Sequence, residues 1–195
     1  VETKVVSEVG FEEALYGLSL SFKDRAEPIE DWWTDERLEK MKKTSKVLAN
    51  RDGGHNKFLE SMVVYIDIEA PRYWWSEFDT YRVGTTKQSE STMHTLKKRD
   101  MTIDDVEVPM IGADWRFSQI VAFNKARLIT TSIEVLKSLL PEGYKQRRLV
   151  CTNYKVLRNI IYQRHDHKLP QWRDFINVIY DEVEHPDYLP DLSKL

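Results

Sequence analysis

Arg82, Arg147 and Arg164 carry the side chain best suited to grip an anion. A guanidinium stays charged at any physiological pH, and its planar fork of N–H donors matches a phosphate. Arg147 is followed by Arg148, and two neighbouring guanidiniums favour an anion between them. Plainer readings stand beside these. Arg82 is spaced to pair with Asp79 or Glu77 on its own helix, and Arg164 to complement the dipole at a helix C-terminus. From Lys145 to Arg173, eight basic residues face one acid, Asp166, so the segment carries +7 and the rest of the chain −10 within a net charge of −3. That distribution argues against a nucleic-acid polymer as partner and for a small phosphate-bearing ligand held by a few arginines. The alternative is that these side chains decorate the solvated faces of two helices.

Other reactive types are sparse. His165-Asp166-His167 places three ligand types in a row, but adjacent residues cannot surround a tetrahedral ion and no cysteine partner exists, so no metal site is expected. His55 follows Gly53-Gly54, a turn that lets backbone approach a ligand closely or simply stops a helix. Cys151 is the one cysteine, so no internal disulfide forms and a reducing compartment is the default. Between Val150 and Thr152 it reads as a small buried residue rather than a nucleophile, since no base or lowered pKa is in view.

The elements that must position these groups follow from periodicity. Residues 15–22 alternate at their end and predict a half-buried strand. Residues 26–33 read as a polar loop. Thr34 before Asp35 and Glu36 starts a helix carrying Leu38, Met41, Ser45 and Leu48, which Asp52-Gly53-Gly54 stops. Residues 62–69 alternate, with Val64, Ile66 and Ile68 on one face, and predict a strand. Ala70-Pro71 ends it, and Pro71 can open the next helix at its first position. Trp74, Trp75, Phe78 and Tyr81 fall on one face of a helix over 72–81, most simply as core. Residues 84–95 read as a loop and 100–115 as an irregular insertion with Pro109 and Gly112. A long helix is expected over about 116–139, broken by Leu140-Pro141-Glu142-Gly143. Further helices are expected over 153–164 and from Pro170, and 184–195 as a loose polar tail. The pattern is α+β, and 195 residues suit a single domain over 1–195. No apolar run approaches a bilayer span, and Val1-Glu2-Thr3-Lys4 does not open a signal peptide.

Residues 54–94 resemble the central block of the flavin-dependent thymidylate synthase family: Gly-His, an acid, an alternating strand, Ala-Pro, an aromatic helix, then R-H-R-x-x-S and a Ser/Arg loop. Gly54-His55, Glu60, the strand, Ala70-Pro71 and the helix fall in register. Arg82 falls on the second arginine of the triplet and Thr85 on the serine. Thr80 replaces the first arginine and Tyr81 the histidine. The loop Gln88-Ser89-Glu90-Ser91-Thr92 keeps hydroxyls but lacks the family arginine, and a one-residue slip could bring Ser89 or Ser91 onto the family serine. Residues 140–164 resemble a second block, with Arg147, Asn153, Asn159 and Arg164 on matching positions, and 165–172 are similar to the histidine-containing run before Gln-Trp.

The resemblance implies a thymidylate synthase-complementing-protein-like fold, a small antiparallel or mixed sheet flanked by long helices. It implies a homotetramer with sites built from several chains. The implied activity is flavin-dependent transfer of a one-carbon unit to C5 of a pyrimidine deoxynucleotide, dUMP to dTMP or a close variant. FAD is the implied cofactor, with methylenetetrahydrofolate and NADPH as co-substrates and no cysteine nucleophile. Carried over by position, Arg164 and Asn159 are the candidate catalytic residues. His55, Tyr81, Arg82, Thr85 and Asn159 would bind cofactor, and Glu77, Gln88, Ser89, Ser91, Arg147 and Arg164 would bind substrate. The altered triplet and loop keep a second possibility open, a catalytically inactive nucleotide binder on the same scaffold, such as a viral protein that sequesters a nucleotide. A structural protein using the aromatic helix for assembly is the third. The expected setting is cytoplasmic, and a phage origin is plausible.

Overall fold

The computed structural model describes residues 1–22, 28–51, 54–107 and 113–195. In chain order the elements are β1 (Glu2–Val9), α1 (Phe11–Ser19), α2 (Asp35–Ala49), β2 (Val63–Pro71), α3 (Arg72–Phe78), β3 (Thr86–Ser89), α4 (Thr92–Thr95), α5 (Ala113–Ile129), α6 (Ile133–Ser138), β4 (Lys145–Asn153), α7 (Tyr154–Arg164) and α8 (Pro170–Glu182). The strands form one small antiparallel sheet in the order β1-β2-β4-β3, and the fold is α+β as expected.

Several elements obey their sequence signals closely. Thr34 caps α2 by accepting from the Arg37 N–H, and Met41, Ser45 and Ala49 form its buried stripe. In β2, Val64, Ile66 and Ile68 are buried while Tyr65, Asp67 and Glu69 are half-buried, the alternation of a pleated strand with one core face. Pro71 sits one residue earlier than expected, as the cap of α3 rather than its first residue. Trp74, Trp75 and Phe78 are core, whereas Tyr81 lies beyond the helix end and is buried there.

Four expectations change. Residues 11–19 are helical, not a strand over 15–22: Phe11, Leu15 and Leu18 keep helical spacing, while Leu20 and Phe22, which suggested the alternation, are exposed. The segment 84–95 holds β3 and α4 rather than a plain loop. The helix expected over 116–139 is two helices, because the Ser132 hydroxyl accepts from Val135 N–H and starts α6 afresh. Phe117 and Ile129, two of the apolar residues whose spacing suggests that helix, are exposed. Residues 145–153 form a strand that the sequence reading missed. The parts of the 26–33 loop at 26–27, of the helix stop at 52–53, and of the insertion at 108–112 lie outside the described residues.

By their contacts the described residues fall into two compact units: 1–2, 68–80 and 88–149 in the first, and 3–67, 81–87 and 150–195 in the second. The first is centred on Leu96, Ile120, Phe123, Leu136 and Tyr144. The second packs Leu15, Trp32 and Met41 together and buries Leu157, Ile160 and Ile161 of α7 and Trp172, Phe175 and Ile179 of α8. The segment after α8, expected to be loose, buries Tyr188 and Leu189, while 191–195 are exposed. Arg158 holds this segment in place. Its guanidinium, 5% exposed as a residue, donates to the Tyr188 carbonyl at 2.5 Å and to Asn50 Oδ1 at 2.9 Å. His185 stacks on Phe11 with centroids 3.7 Å apart, and burial holds its pKa below the usual histidine value.

Removing Arg158 strands a buried carbonyl, so Arg158→Ala is expected to cost about 2–4 kcal/mol in urea unfolding, whereas exposed Arg173→Ala should stay within about 0.5 kcal/mol. The depressed His185 pKa gives a definite sign: the unfolded chain takes up the proton first. Stability from the neutral ring is therefore full above about pH 6.5 and is lost as pH falls below it. His185→Phe should flatten the fall in urea midpoint between about pH 6.5 and pH 5, and an unchanged slope would contradict this role.

Candidate functional site

The second unit builds its polar centre around the start and end of α7. Asn153, the last residue of β4, is 8% exposed and caps α7 by accepting from the Val156 N–H at 3.0 Å. Gly84 has φ +70°, and a Cβ there would fall 2.9 Å from Asn153 Nδ2 and 3.0 Å from Val156 Cγ2, so both conformation and space demand glycine. Thr152 Oγ1 donates to the Gly84 carbonyl at 3.3 Å and lies 3.1 Å from Thr85 Oγ1. The turn carrying Arg82, Gly84 and Thr85 is thus tied to the first residues of α7.

The far end of α7 holds a second polar knot. Leu157, Ile160 and Ile161 face the core, which leaves Asn159 and Gln163 exposed and Arg164 half-buried. The Tyr81 hydroxyl donates to Gln163 Oε1 at 3.0 Å and accepts from Arg164 Nε at 2.9 Å. Gln163 Nε2 in turn donates to Asn159 Oδ1 at 3.1 Å. The Arg164 guanidinium carbon lies 4.8 Å from the Trp172 ring centroid and 5.7 Å from that of Tyr81, within cation–π range of both. Asn159, Arg164 and Tyr81 are therefore brought together. Tyr81, expected to stand against a flavin in place of a histidine, is 6% exposed and turns its edge to Trp172. Arg82 is exposed and makes no hydrogen bond or ion pair among the described residues.

His55 is exposed and lies on the rim of a groove of about 1,090 Å³, whose apolar lining includes Leu18, Leu20 and Phe22 and whose charged lining includes Arg51 and Lys57. His167 accepts from the Leu169 N–H, and among the described residues no group of His, Cys, Asp or Glu is arranged to hold a metal ion. Cys151 is half-buried, and its thiol beside the Tyr65 phenol raises the phenol pKa above its ordinary value.

In the first unit, the expected pairing of Arg147 with Arg148 does not form. Both lie on β4, where successive side chains leave on opposite faces. Arg148 Nη1 donates to both carboxylate oxygens of Asp79, at 3.1 and 3.2 Å, and the guanidinium lies 4.2 Å from the Trp75 ring centroid. Asp79, one of two partners proposed for Arg82, is thereby engaged. Arg147 is exposed, and its carbonyl accepts from the Glu90 N–H at 3.0 Å. Gln88, Ser89 and Ser91 are exposed on and just after β3, and the Ser91 carbonyl receives the first N–H groups of α4. Glu77 is half-buried on α3. Residues overlooked in the sequence are Gln163 and Trp172. Helical spacing from Asn159 gives Gln163, but nothing local pairs Trp172 with Arg164.

A family model described as "Thymidylate synthase complementing protein" matches residues 13–186, and the chain belongs to that family. Two solved structures share the fold. The crystal structure of the flavin-dependent thymidylate synthase ThyX from Helicobacter pylori, complexed with FAD and dUMP, superposes with a TM-score of 0.76 at 17% identity over 97% of this chain and all of that one. A second structure of the same Helicobacter pylori enzyme, also with FAD and dUMP, gives 0.75 at 16% identity over 97% of each chain. The curated proteins hold no sequence match to this chain.

Deleting the Tyr81 hydroxyl removes an acceptor from Arg164 and a donor from Gln163. Tyr81→Phe is expected to lower unfolding free energy by about 1–2 kcal/mol in urea titration, and a variant as stable as the parent would show those two bonds contribute nothing net.

Proposed function

We propose that the protein transfers a one-carbon unit from methylenetetrahydrofolate to C5 of dUMP, or of a closely related pyrimidine deoxynucleotide, with FAD as bound cofactor and NADPH as reductant. The observation that carries this reading is the family match running from residue 13 to residue 186. The donor set suits the group. Arg82 is an exposed guanidinium without a partner among the described residues, suited to a phosphate of FAD or of the nucleotide. Among the described residues the Asn159 side chain spends only its Oδ1, which leaves amide donors for a ring carbonyl. The groove beside His55 is of ligand size and mixes apolar walls with cations, Arg51 and Lys57, and acids, Glu13 and Glu60. Reduced FAD, when bound, supplies the hydride that this chemistry requires.

The chain's own work is then binding, orientation and charge. Arg164 and Asn159 are the proposed catalytic residues, placed on one end of α7 to meet the pyrimidine and flavin rings. Tyr81 and Trp172 hold the Arg164 guanidinium at a fixed angle, so that it need not reorganise as charge develops. Arg82, Thr85 and His55 are assigned to the cofactor, and Arg147, Gln88, Ser89, Ser91 and Glu77 to the substrate. Assembly as a homotetramer completing sites from several chains, and a cytoplasmic setting, belong to the same reading. No helix among the described residues is long and apolar enough to cross a membrane. A non-catalytic nucleotide-binding role is not favoured, because the family match covers both blocks that carry Arg82, Asn159 and Arg164.

The test is the visible spectrum of purified protein after incubation with FAD and removal of unbound flavin, followed by dTMP formation from dUMP with methylenetetrahydrofolate and NADPH. A retained flavin spectrum and dTMP are expected, with Arg164→Ala lowering kcat by about 100-fold or more. A protein that holds no flavin and forms no dTMP would overturn the reading.

A further inference from the structure

The first unit contains a cavity of about 260 Å³ that the proposed chemistry does not use. Its floor is apolar, formed by Leu96, Met101 and Phe123 from the core of that unit. Its polar wall carries Glu90, Tyr144 and the Arg99–Asp105 pair. We propose that this cavity binds a small organic cation, an amine or amidine with an apolar body, whose nitrogen head is received by the Glu90 carboxylate and the Tyr144 hydroxyl.

Tyr144 is the first support. It is only 9% exposed, lines the cavity, and its hydroxyl makes no hydrogen bond among the described residues. That hydroxyl is open to solvent at the cavity, so a ligand atom there would take the place of water as its hydrogen-bond partner. Burial first, then Glu90 and Asp105, push its pKa up to about 12, so it stays protonated and its oxygen can accept from a ligand N–H.

Charge decides the ligand class. Arg99 is committed to Asp105 through a two-bond fork at 2.7 and 2.5 Å, and Asp105 also accepts from Thr102 N–H at 2.7 Å, so this pair is closed on itself. Asp100 is taken by Arg127. Glu90 remains without a salt bridge among the described residues. The residue is exposed overall, yet partial desolvation of its carboxyl raises the pKa above the ordinary carboxylate value; a backbone N–H of Arg147 opposes this, and Glu69 and Asp105 add to it. Lys98, on the rim, is exposed and makes no ion pair among the described residues. An anionic ligand would meet Glu90 and Asp105 with Arg99 already spent, whereas a cation would relieve the Glu90 carboxylate and satisfy Tyr144 together. The apolar floor selects cations with a hydrocarbon or aromatic body over hydrated metal ions. The volume, at the lower edge of small-molecule sites, limits that body to about one ring.

The probe is benzamidine, with benzoate and benzyl alcohol as anionic and neutral controls of similar size, titrated into the full chain and followed by amide NMR shifts. Benzamidine is expected to bind at about millimolar Kd, as suits a fragment, with shifts clustered on residues 90–105 and 144, and benzoate should not bind. Glu90→Gln, an exposed isosteric change, should weaken benzamidine at least tenfold, Tyr144→Phe several-fold, and Lys98→Met should leave it equal or tighter. Affinity should also fall as pH is lowered through the Glu90 titration. The proposal is overturned if benzamidine does not bind up to tens of millimolar, if the neutral control binds equally well, or if Glu90→Gln leaves the affinity unchanged. Flavin binding and dTMP formation are separate readouts, so either idea can fail without the other.

Discussion

The two-residue alternation of β4 decides what most of the basic segment can do. On a pleated strand Arg147 and Arg148 leave on opposite faces, so their adjacency in sequence becomes separation in space. Arg148 goes to Asp79 and the Trp75 ring, with 14% of its side chain exposed. A guanidinium so far out of water is stabilised only because carboxylate, ring and the Gln146 amide all receive it. Farther along the same strand, Thr152 and Asn153 are buried and turn their side chains to the Gly84 turn and the first turn of α7. The strand therefore ends in a cap, and the cap fixes where α7 begins.

From that starting point, helical geometry places the rest. Eleven residues of α7 separate an end capped by Asn153 from one carrying Arg164. Arg158, one turn and a half along, faces inward and holds the carbonyl of Tyr188, while Asn159, the next residue, faces out. Six residues beyond Arg158, Arg164 is half-buried against two aromatic rings. A change of one residue in the starting point would turn Arg158 out and Asn159 in, so the Asn153 cap acts on the site through register rather than by contact.

The sequence showed these groups but not their assignments. The α+β class, β2, α2 and the span of α7 and α8 were legible, because each carries a period and a start signal in the same short window. Residues 11–19 misled because Leu18, Leu20 and Phe22 mimic a period of two, although Leu20 and Phe22 stay exposed. The break between α5 and α6 lay hidden in Thr130-Thr131-Ser132, a run of hydroxyls inside an apolar stripe, where one side-chain bond from Ser132 outweighs continuity. β4 was missed because its alternation is carried by charged residues, and hydrophobic period is silent when Lys145, Arg147 and Arg148 occupy the positions. Of the candidate site, Asn159, Arg164 and Tyr81 were carried over one by one from the family pattern, and the fold sets them at one end of α7. That Tyr81 would face Trp172 and serve Arg164 rests on a contact between residues 91 positions apart, which no local spacing encodes.

Net charge was the weakest guide for the same reason. The +7 of residues 145–173 suggests a field that draws anions, yet its members are largely spent inside the molecule. Lys145 is 3.0 Å from Glu69, Arg148 holds Asp79, Lys155 is 2.5 Å from Glu60, and Arg158 is buried on a carbonyl. An ion pair presents little field beyond its own length once water and salt screen it. What draws a phosphate is a cation left without a partner on a fixed backbone. Arg82 meets that condition, although it lies outside the basic segment altogether: the turn beneath it is pinned by Gly84, Thr85 and Thr152, and its guanidinium is exposed. The same reasoning run with the opposite sign picks out Glu90, an acid without a salt bridge among the described residues, beside the Tyr144 phenol and near Arg99 and Arg127, which are already paired.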